Sequence, residues 1–143
     1  MTVSAILKSK GSKVETTRPD TTVETVVHRL RLESIGALVV TEDGQRVLGV
    51  ISERDIVRGL AAQGAGLLAM RVQEVMTRVV PTCAPETSVE RVMSQMTRER
   101  ARHVPVMEQN RLCGIISIGD VVKHRLDEME SEVRVLRDYI TAR

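Results

Sequence analysis

At 143 residues the chain suits one compact globule, and a net charge of +2 on 21 basic and 19 acidic residues lacks the basic excess of a polyanion binder. Tyr139 is the sole member of the Phe, Tyr and Trp class, so the core must be aliphatic and a single-strand nucleic-acid reader would lack its stacking platforms. Cys83 and Cys113 have no metal-ligand spacing, no run approaches the ~18 apolar residues of a membrane span, and the first residues carry no secretory apolar stretch. Reduced thiols, no membrane partner and a cytoplasmic location are therefore expected.

Along the chain, Val3–Leu7 begins a first unit and leads through Lys13–Thr17 into a short strand. Asp20-Thr21-Thr22 is suited to capping a helix on which Val23, Val26, Val27 and Leu30 recur at helical spacing. A β-branched run, Ala37–Thr41, then turn chemistry at Glu42–Gln45, then Val47–Ile51 predict a hairpin. A helix follows, and Gly59–Met70 is expected to be a flexible connection through Gly64 and Gly66.

The order then repeats with a period of roughly 65 residues, too long for a solenoid. Val72–Met76 echoes Val3–Leu7, and Arg78–Cys83 leads into a second short strand. Val89, Val92, Met93 and Met96 mark the helix, and His103–Met107 with Leu112–Ile116 mark the hairpin. The expected division is 1–65 for the first repeat, 66–126 for the second and 127–143 for a C-terminal extension of the last helix. A half of this length buries too little surface to stand alone, so the repeats should pair, with a ligand crevice between them. The last helix carries Val122, Leu126, Met129, Val133, Leu136 and Ile140 in alternating steps of four and three, a heptad seam that packs either on its own domain or on a second copy.

Gly49-Val50-Ile51-Ser52-Glu53-Arg54-Asp55 returns as Gly114-Ile115-Ile116-Ser117-Ile118-Gly119-Asp120. Each serine is placed to cap a helix and each aspartate to offset its dipole. Capping leaves the two strand glycines unexplained, and glycine in a strand marks the close approach of a ligand or another backbone. A helix N-terminus is also an anion seat. Ser52 or Ser117 could thus take a phosphate while Asp55 or Asp120 accepts from a ribose diol. Arg54 adds a bidentate phosphate donor to the first site. The second site must find its cation at Arg102, at His103 or from Arg54 reaching across, so the two should bind unequally.

With both motif copies in register with the strands, the chain from Val3 to about Leu126 resembles a stand-alone tandem pair of CBS domains, or Bateman module, of the bacterial type. The resemblance implies an α/β (α+β) fold of two β-α-β-β-α repeats paired into one globule with a long C-terminal helix. It implies a non-catalytic regulatory module that binds AMP, ADP, ATP, NAD or S-adenosylmethionine and pairs as a homodimer with an effector protein still to be identified. By the same resemblance Asp55 with Ser52, and Asp120 with Ser117, hold ribose and phosphate. Adenine contacts come from near Thr16 and Thr82 and from Ile51 and Ile116, with Pro105 beside His103 in the binding set.

Two other classes compete. An enzyme is disfavoured because His28, His103 and His124 fall on separate elements without a serine or cysteine positioned by them. A ligand-free interaction or dimerisation module would use the same caps without binding nucleotide. Redox sensing through Cys83 is open because that residue is expected beside the crevice, whereas Cys113 reads as core.

Overall fold

The computed structural model describes residues 1–142, so Arg143, the last residue of the expected extension, lies outside it. The first half comprises α1 (Val3–Lys10), β1 (Thr16–Thr17), α2 (Val23–Glu33), the hairpin β2 (Ala37–Val40) and β3 (Gly49–Ser52), and α3 (Glu53–Gln63). The second comprises α4 (Val72–Val75), α5 (Val89–Glu99), the hairpin β4 (His103–Glu108) and β5 (Arg111–Ser117), and α6 (Ile118–Thr141). Thr22 and Ser88 cap α2 and α5, each hydroxyl accepting from an amide three residues on. Gln109 and Asn110 both take positive φ, closing the second hairpin with a two-residue turn.

In the first sheet β1 runs parallel to β2, and β2 is antiparallel to β3; the second sheet is the β4–β5 hairpin. The short strand expected over Arg78–Cys83 is reduced to single bridges, Thr77 with Val50 and Cys83 with Val106. Pro81 and Pro85 flank Cys83 and donate no amide, which denies a longer ladder. Ala37, Val39 and Val50 meet Val80, Leu112 and Ile115 in an apolar layer between the sheets, while Leu38, Val40 and Ile51 face the helices.

The two helical cores are exchanged. Val3 and Ile6 of α1 are buried in the core of the second repeat with Val92, Ile116 and Val121, and Val72 and Met76 are buried in that of the first with Leu30 and Ile51. Backbone bonds fix both insertions: Val3 donates to Thr87 and Val72 to Thr21. The sequence boundary near residue 65 is therefore not a boundary between cores. Nor is the connection flexible as expected. Gly64–Ala69 forms a 3-10 turn whose Leu67 is fully buried, and a Cβ on Gly59 would stand 2.5 Å from the Leu67 side chain.

Helix α6 buries only Val121, in its first turn, against the second core. The heptad seam does not pack on its own domain, because its six residues are all between 49 and 61% exposed. No helix among the described residues is long and apolar enough to cross a membrane.

Candidate functional site

Both strand-to-helix junctions fold as the motif requires. Ser52 Oγ accepts from the Asp55 amide, and Asp55 Oδ2 accepts from the Ser52 amide at 2.8 Å and its hydroxyl at 3.0 Å. Ser117 and Asp120 repeat the reciprocal cap, with the Ser117 amide 2.9 Å from Asp120 Oδ2. The capping reading thus holds in both copies. The strand glycines have a cause other than a ligand: a Cβ on Gly49 would lie 2.5 Å from the Thr77 carbonyl oxygen, and one on Gly114 would lie 2.8 Å from the Leu7 side chain. It is the exchanged leading segment that presses on each strand.

Beyond the caps the copies diverge. Asp55 is 7% exposed, and its second oxygen accepts from Thr77 Oγ1 at 2.8 Å. Thr77 is held there by a two-way backbone bridge to Val50. This carboxylate forms the floor of a cleft of about 290 Å³. Val50, Val79, Val80 and Pro81 supply an aliphatic wall, and Arg54, Arg58, Arg100 and Arg102 oppose Glu53, Asp55 and Glu99. Helix α3 thus contributes two arginines one turn apart, while the end of α5 and the entry to β4 contribute two more. Arg100 sits at positive φ as the α5 C-cap, which turns the chain into the cleft. His103 closes one end, its ring approaching Gly36 beside the Glu53 carboxylate. Burial holds the His103 imidazole below its ordinary pKa, against the opposing pull of Glu53 and Asp120.

Asp120 has no threonine partner. Lys10, at the end of the exchanged α1, places its ammonium 2.6 Å from Asp120 Oδ2 and 2.9 Å from the Ile115 carbonyl oxygen. Burial pushes the Asp120 carboxyl up, but the bonds from Lys10 and the Ser117 amide outweigh it and hold the group below the usual carboxylate range.

The expected residues therefore separate. Ser52, Arg54, Asp55 and His103 meet in one cleft, and Arg102 joins them rather than serving Asp120; the cation at Asp120 is Lys10. Thr16 and Thr82 line separate rim grooves, Thr16 with Thr25 and Arg29, Thr82 with Arg91 and Gln95. Thr77 and Val80, a few residues before Thr82, occupy the position expected of it. Ile51 and Ile116 are fully buried toward the helices, and their strand neighbours Val50 and Ile115 face the layer between the sheets. Pro105 is buried, pairs with Ile115 and does not line the cleft.

Of the residues passed over in the sequence, Arg58 had a signal, four positions after Arg54 on one helix face. Thr77 and Lys10 had none, because both arrive through long-range docking. Cys83 lies in the second core and on a rim groove, not in the cleft, and burial pushes its thiol up to about 11, opposite to a redox-reactive cysteine. His28 and His124 do not join His103.

Each strand-to-helix cap falls in its own copy of one family: the CBS-domain model matches residues 3–62 and again 72–127. The chain belongs to the CBS-domain family. A CBS-domain containing protein from Agrobacterium tumefaciens superposes with a TM-score of 0.85 at 44% identity, covering 87% of this chain and 99% of that one. The mitochondrial CBS domain-containing protein CBSX3 of Arabidopsis thaliana is 37% identical over 97% of this chain and 71% of its own length. A CBS domain pair solved in complex with 5′-methylthioadenosine and S-adenosyl-L-methionine shares the fold at 23% identity, with a TM-score of 0.76 over 86% of this chain and 98% of that one. The chain thus holds a CBS pair, a regulatory module of two repeats.

Proposed function

We propose that this CBS pair is a non-catalytic adenine-nucleotide sensor that binds one ligand per chain, in the cleft floored by Asp55. The carrying observation is a buried carboxylate facing a cleft rimmed by four arginines. Asp55 is already oriented by Ser52 and Thr77, so it can accept from a ribose diol without reorganising, while the Thr77 hydroxyl oxygen keeps lone pairs with which to accept from the ligand. The base lies on Val50 and Val80, and the phosphates run toward Arg54, Arg58, Arg100 and Arg102. The adenosine ligands of the structurally similar pair support the same base and sugar. The arginines favour a phosphorylated ligand over S-adenosylmethionine. A cleft of about 290 Å³ suits AMP, ADP or ATP better than NAD.

Signalling is proposed to run through a homodimer whose arrangement the nucleotide biases, with α6 as the reporting element. A ligand can signal only by binding one arrangement better than the other.

Calorimetric titration with AMP, ADP, ATP, NAD and S-adenosylmethionine tests this reading. One phosphorylated adenosine should bind per chain, and Arg54→Ala with Arg58→Ala should weaken it by about tenfold or more. S-adenosylmethionine binding alone would remove the phosphate assignment. No heat with any of them would favour the second reading, a ligand-free dimerisation module, for which the exposed α6 seam is the specific support.

A further inference from the structure

The seam of α6 is written on a helix that faces away from its own domain. Only Val121 is buried in the second core; His124 and Glu128, on that same inner side, are half-buried. Val122, Leu126, Met129, Val133, Leu136 and Ile140 form the opposite, exposed stripe. A continuous apolar row of this length needs a cover. In heptad terms Leu126, Val133 and Ile140 occupy the a positions, and Val122, Met129 and Leu136 the d positions.

The flanking charges identify the cover. The g positions hold Arg125 and Glu132, and the e positions Lys123, Glu130 and Arg137. In a parallel, in-register pair, each g residue meets the e residue five places later in the second copy. Arg125 then meets Glu130, and Glu132 meets Arg137, each pairing occurring twice. Slipping one copy by a heptad sets Arg125 against Arg137 and Glu132 against Glu130. An antiparallel pair centred on the seam sets Glu130 against Glu130, Glu132 against Glu132 and Lys123 against Arg137. Sliding the antiparallel pair inward to escape this runs each helix end toward the other copy's β5, and sliding it outward by a heptad leaves Val122 and Leu126 uncovered.

We propose that α6 docks on α6 of a second copy as a parallel, in-register, two-stranded coiled coil, with Arg125–Glu130 and Glu132–Arg137 pairs selecting both direction and register. β-Branched residues at two of the three a positions, with Leu136 at d, suit two strands. Arg125 already reaches Glu128 at 2.8 Å and Glu90 at 3.6 Å, but both contacts use Nη1, and the rest of its fork of donors can serve the second copy. The direction has a consequence. A parallel coil puts the two CBS pairs at the same end, so that a change in either globule acts on the base of a shared rod.

This inference rests on the homodimer in the proposed function and is independent of the nucleotide. The test uses the full chain. Leu136→Cys under mild oxidation should give a covalent dimer, since parallel d positions face each other; the wild type, whose own thiols are buried or half-buried, gives the background. If instead the cross-link forms only when Leu126→Cys and Leu136→Cys chains are mixed, the helices are antiparallel and the proposal is overturned while the homodimer stands. Sedimentation equilibrium supplies the charge test: Glu132→Arg should weaken self-association by about tenfold, and Glu132→Arg with Arg137→Glu should restore it. Dimerisation indifferent to both changes would overturn the charge-selected register. A monomer at all concentrations, with unchanged helix content, would overturn this inference and the homodimer together.

Discussion

The two halves of the molecule use one local motif to different ends. At Asp55 the reciprocal cap faces an arginine-rimmed cleft, with Thr77 as the carboxylate's remaining partner. At Asp120 the same cap faces Lys10. Three of the four cleft arginines also lose their charge: under the pseudo-symmetry, Arg54, Arg100 and Arg102 correspond to Gly119, Ser34 and Gly36, and only Arg58 keeps a basic counterpart, Lys123. Capping is therefore what the repeat conserves within itself, and the binding chemistry is supplied by residues around the cap. A motif read alone reports the helix start; its neighbours decide whether it becomes a site.

The largest expected difference between the halves lies in the aspartates. Asp55→Ala should abolish nucleotide binding and, by removing the acceptor for Ser52 and Thr77, destabilise the fold by about 2–3 kcal/mol. Asp120→Ala should leave affinity within about twofold and cost about 1–2 kcal/mol, through the cap and a partly exposed ion pair. Thermal unfolding with and without nucleotide measures both quantities. Equal loss of the ligand-induced shift in the two variants would mean that the two aspartates are equivalent and that the contrast drawn from Lys10 is wrong.

The strand glycines should separate next. Gly49→Ala drives a methyl group to 2.5 Å from a backbone carbonyl oxygen, whereas Gly114→Ala meets the movable end of Leu7. The first should therefore cost about 2 kcal/mol or more and the second about 1 kcal/mol. Because the displaced carbonyl belongs to Thr77, Gly49→Ala should also weaken nucleotide binding, which Gly114→Ala should not. Urea unfolding of the two variants, paired with one titration each, would expose a contrary ranking.

What the sequence could disclose follows the range of the interactions. The hairpins, the helices and the Ser-x-x-Asp caps depend on near neighbours, and their residue types state them directly. The phase of the strands does not. All four residues of β2 and three of the four in β3 are buried because both sheet faces are covered, so alternation gives no sign that Val50 rather than Ile51 faces the inter-sheet layer. Thr77 and Lys10 reach their aspartates only because the leading segments cross to the other repeat. That exchange is carried by Val3, Ile6, Val72 and Met76, which look like ordinary apolar positions. Arg102 and His103 come to the Asp55 cleft from the entry to β4, in the other repeat, and His103 stands near enough to both Glu53 and Asp120 to feel each.

A smaller effect tests whether Lys10 keeps Asp120 from serving as a second site. Replacing Lys10 alone should release Asp120 without creating a site, since Gly119 stands where Arg54 stands beside Asp55. Lys10→Ala combined with Gly119→Arg removes the competing ammonium and supplies a phosphate donor, and should raise calorimetric stoichiometry from one toward two, with a second site about tenfold or more weaker than the first. Stoichiometry fixed at one would show that the barrier lies in the backbone around Asp120. Acid sharpens the point. Asp120 is held below its ordinary pKa, so its contribution is present above the unfolded carboxylate value of about 3.8 and is lost as pH falls through the folded value. A Lys10→Met protein should therefore be less stable than wild type at neutral pH, by about 1 kcal/mol or less, and the gap should narrow as pH falls below about 3.8.

The smallest expected effect is a pH dependence confined to the first cleft. His103 is kept neutral by burial and is faced by Glu53, Asp120, Lys10 and Arg102. In the free protein the unfolded chain takes up the histidine proton first as pH falls below about 6.5, so the fold loses stability through that window down to the depressed folded value. A bound polyphosphate adds negative charge beside the ring and raises its pKa, so binding takes up a proton and tightens as pH falls from about 8 to about 6, by a few-fold. His103→Gln should flatten this slope while keeping affinity at pH 8. The ligand's own phosphate titration is common to both proteins and cancels in the comparison. Parallel slopes for wild type and His103→Gln would place the phosphates away from His103, toward the outer arginines of α3.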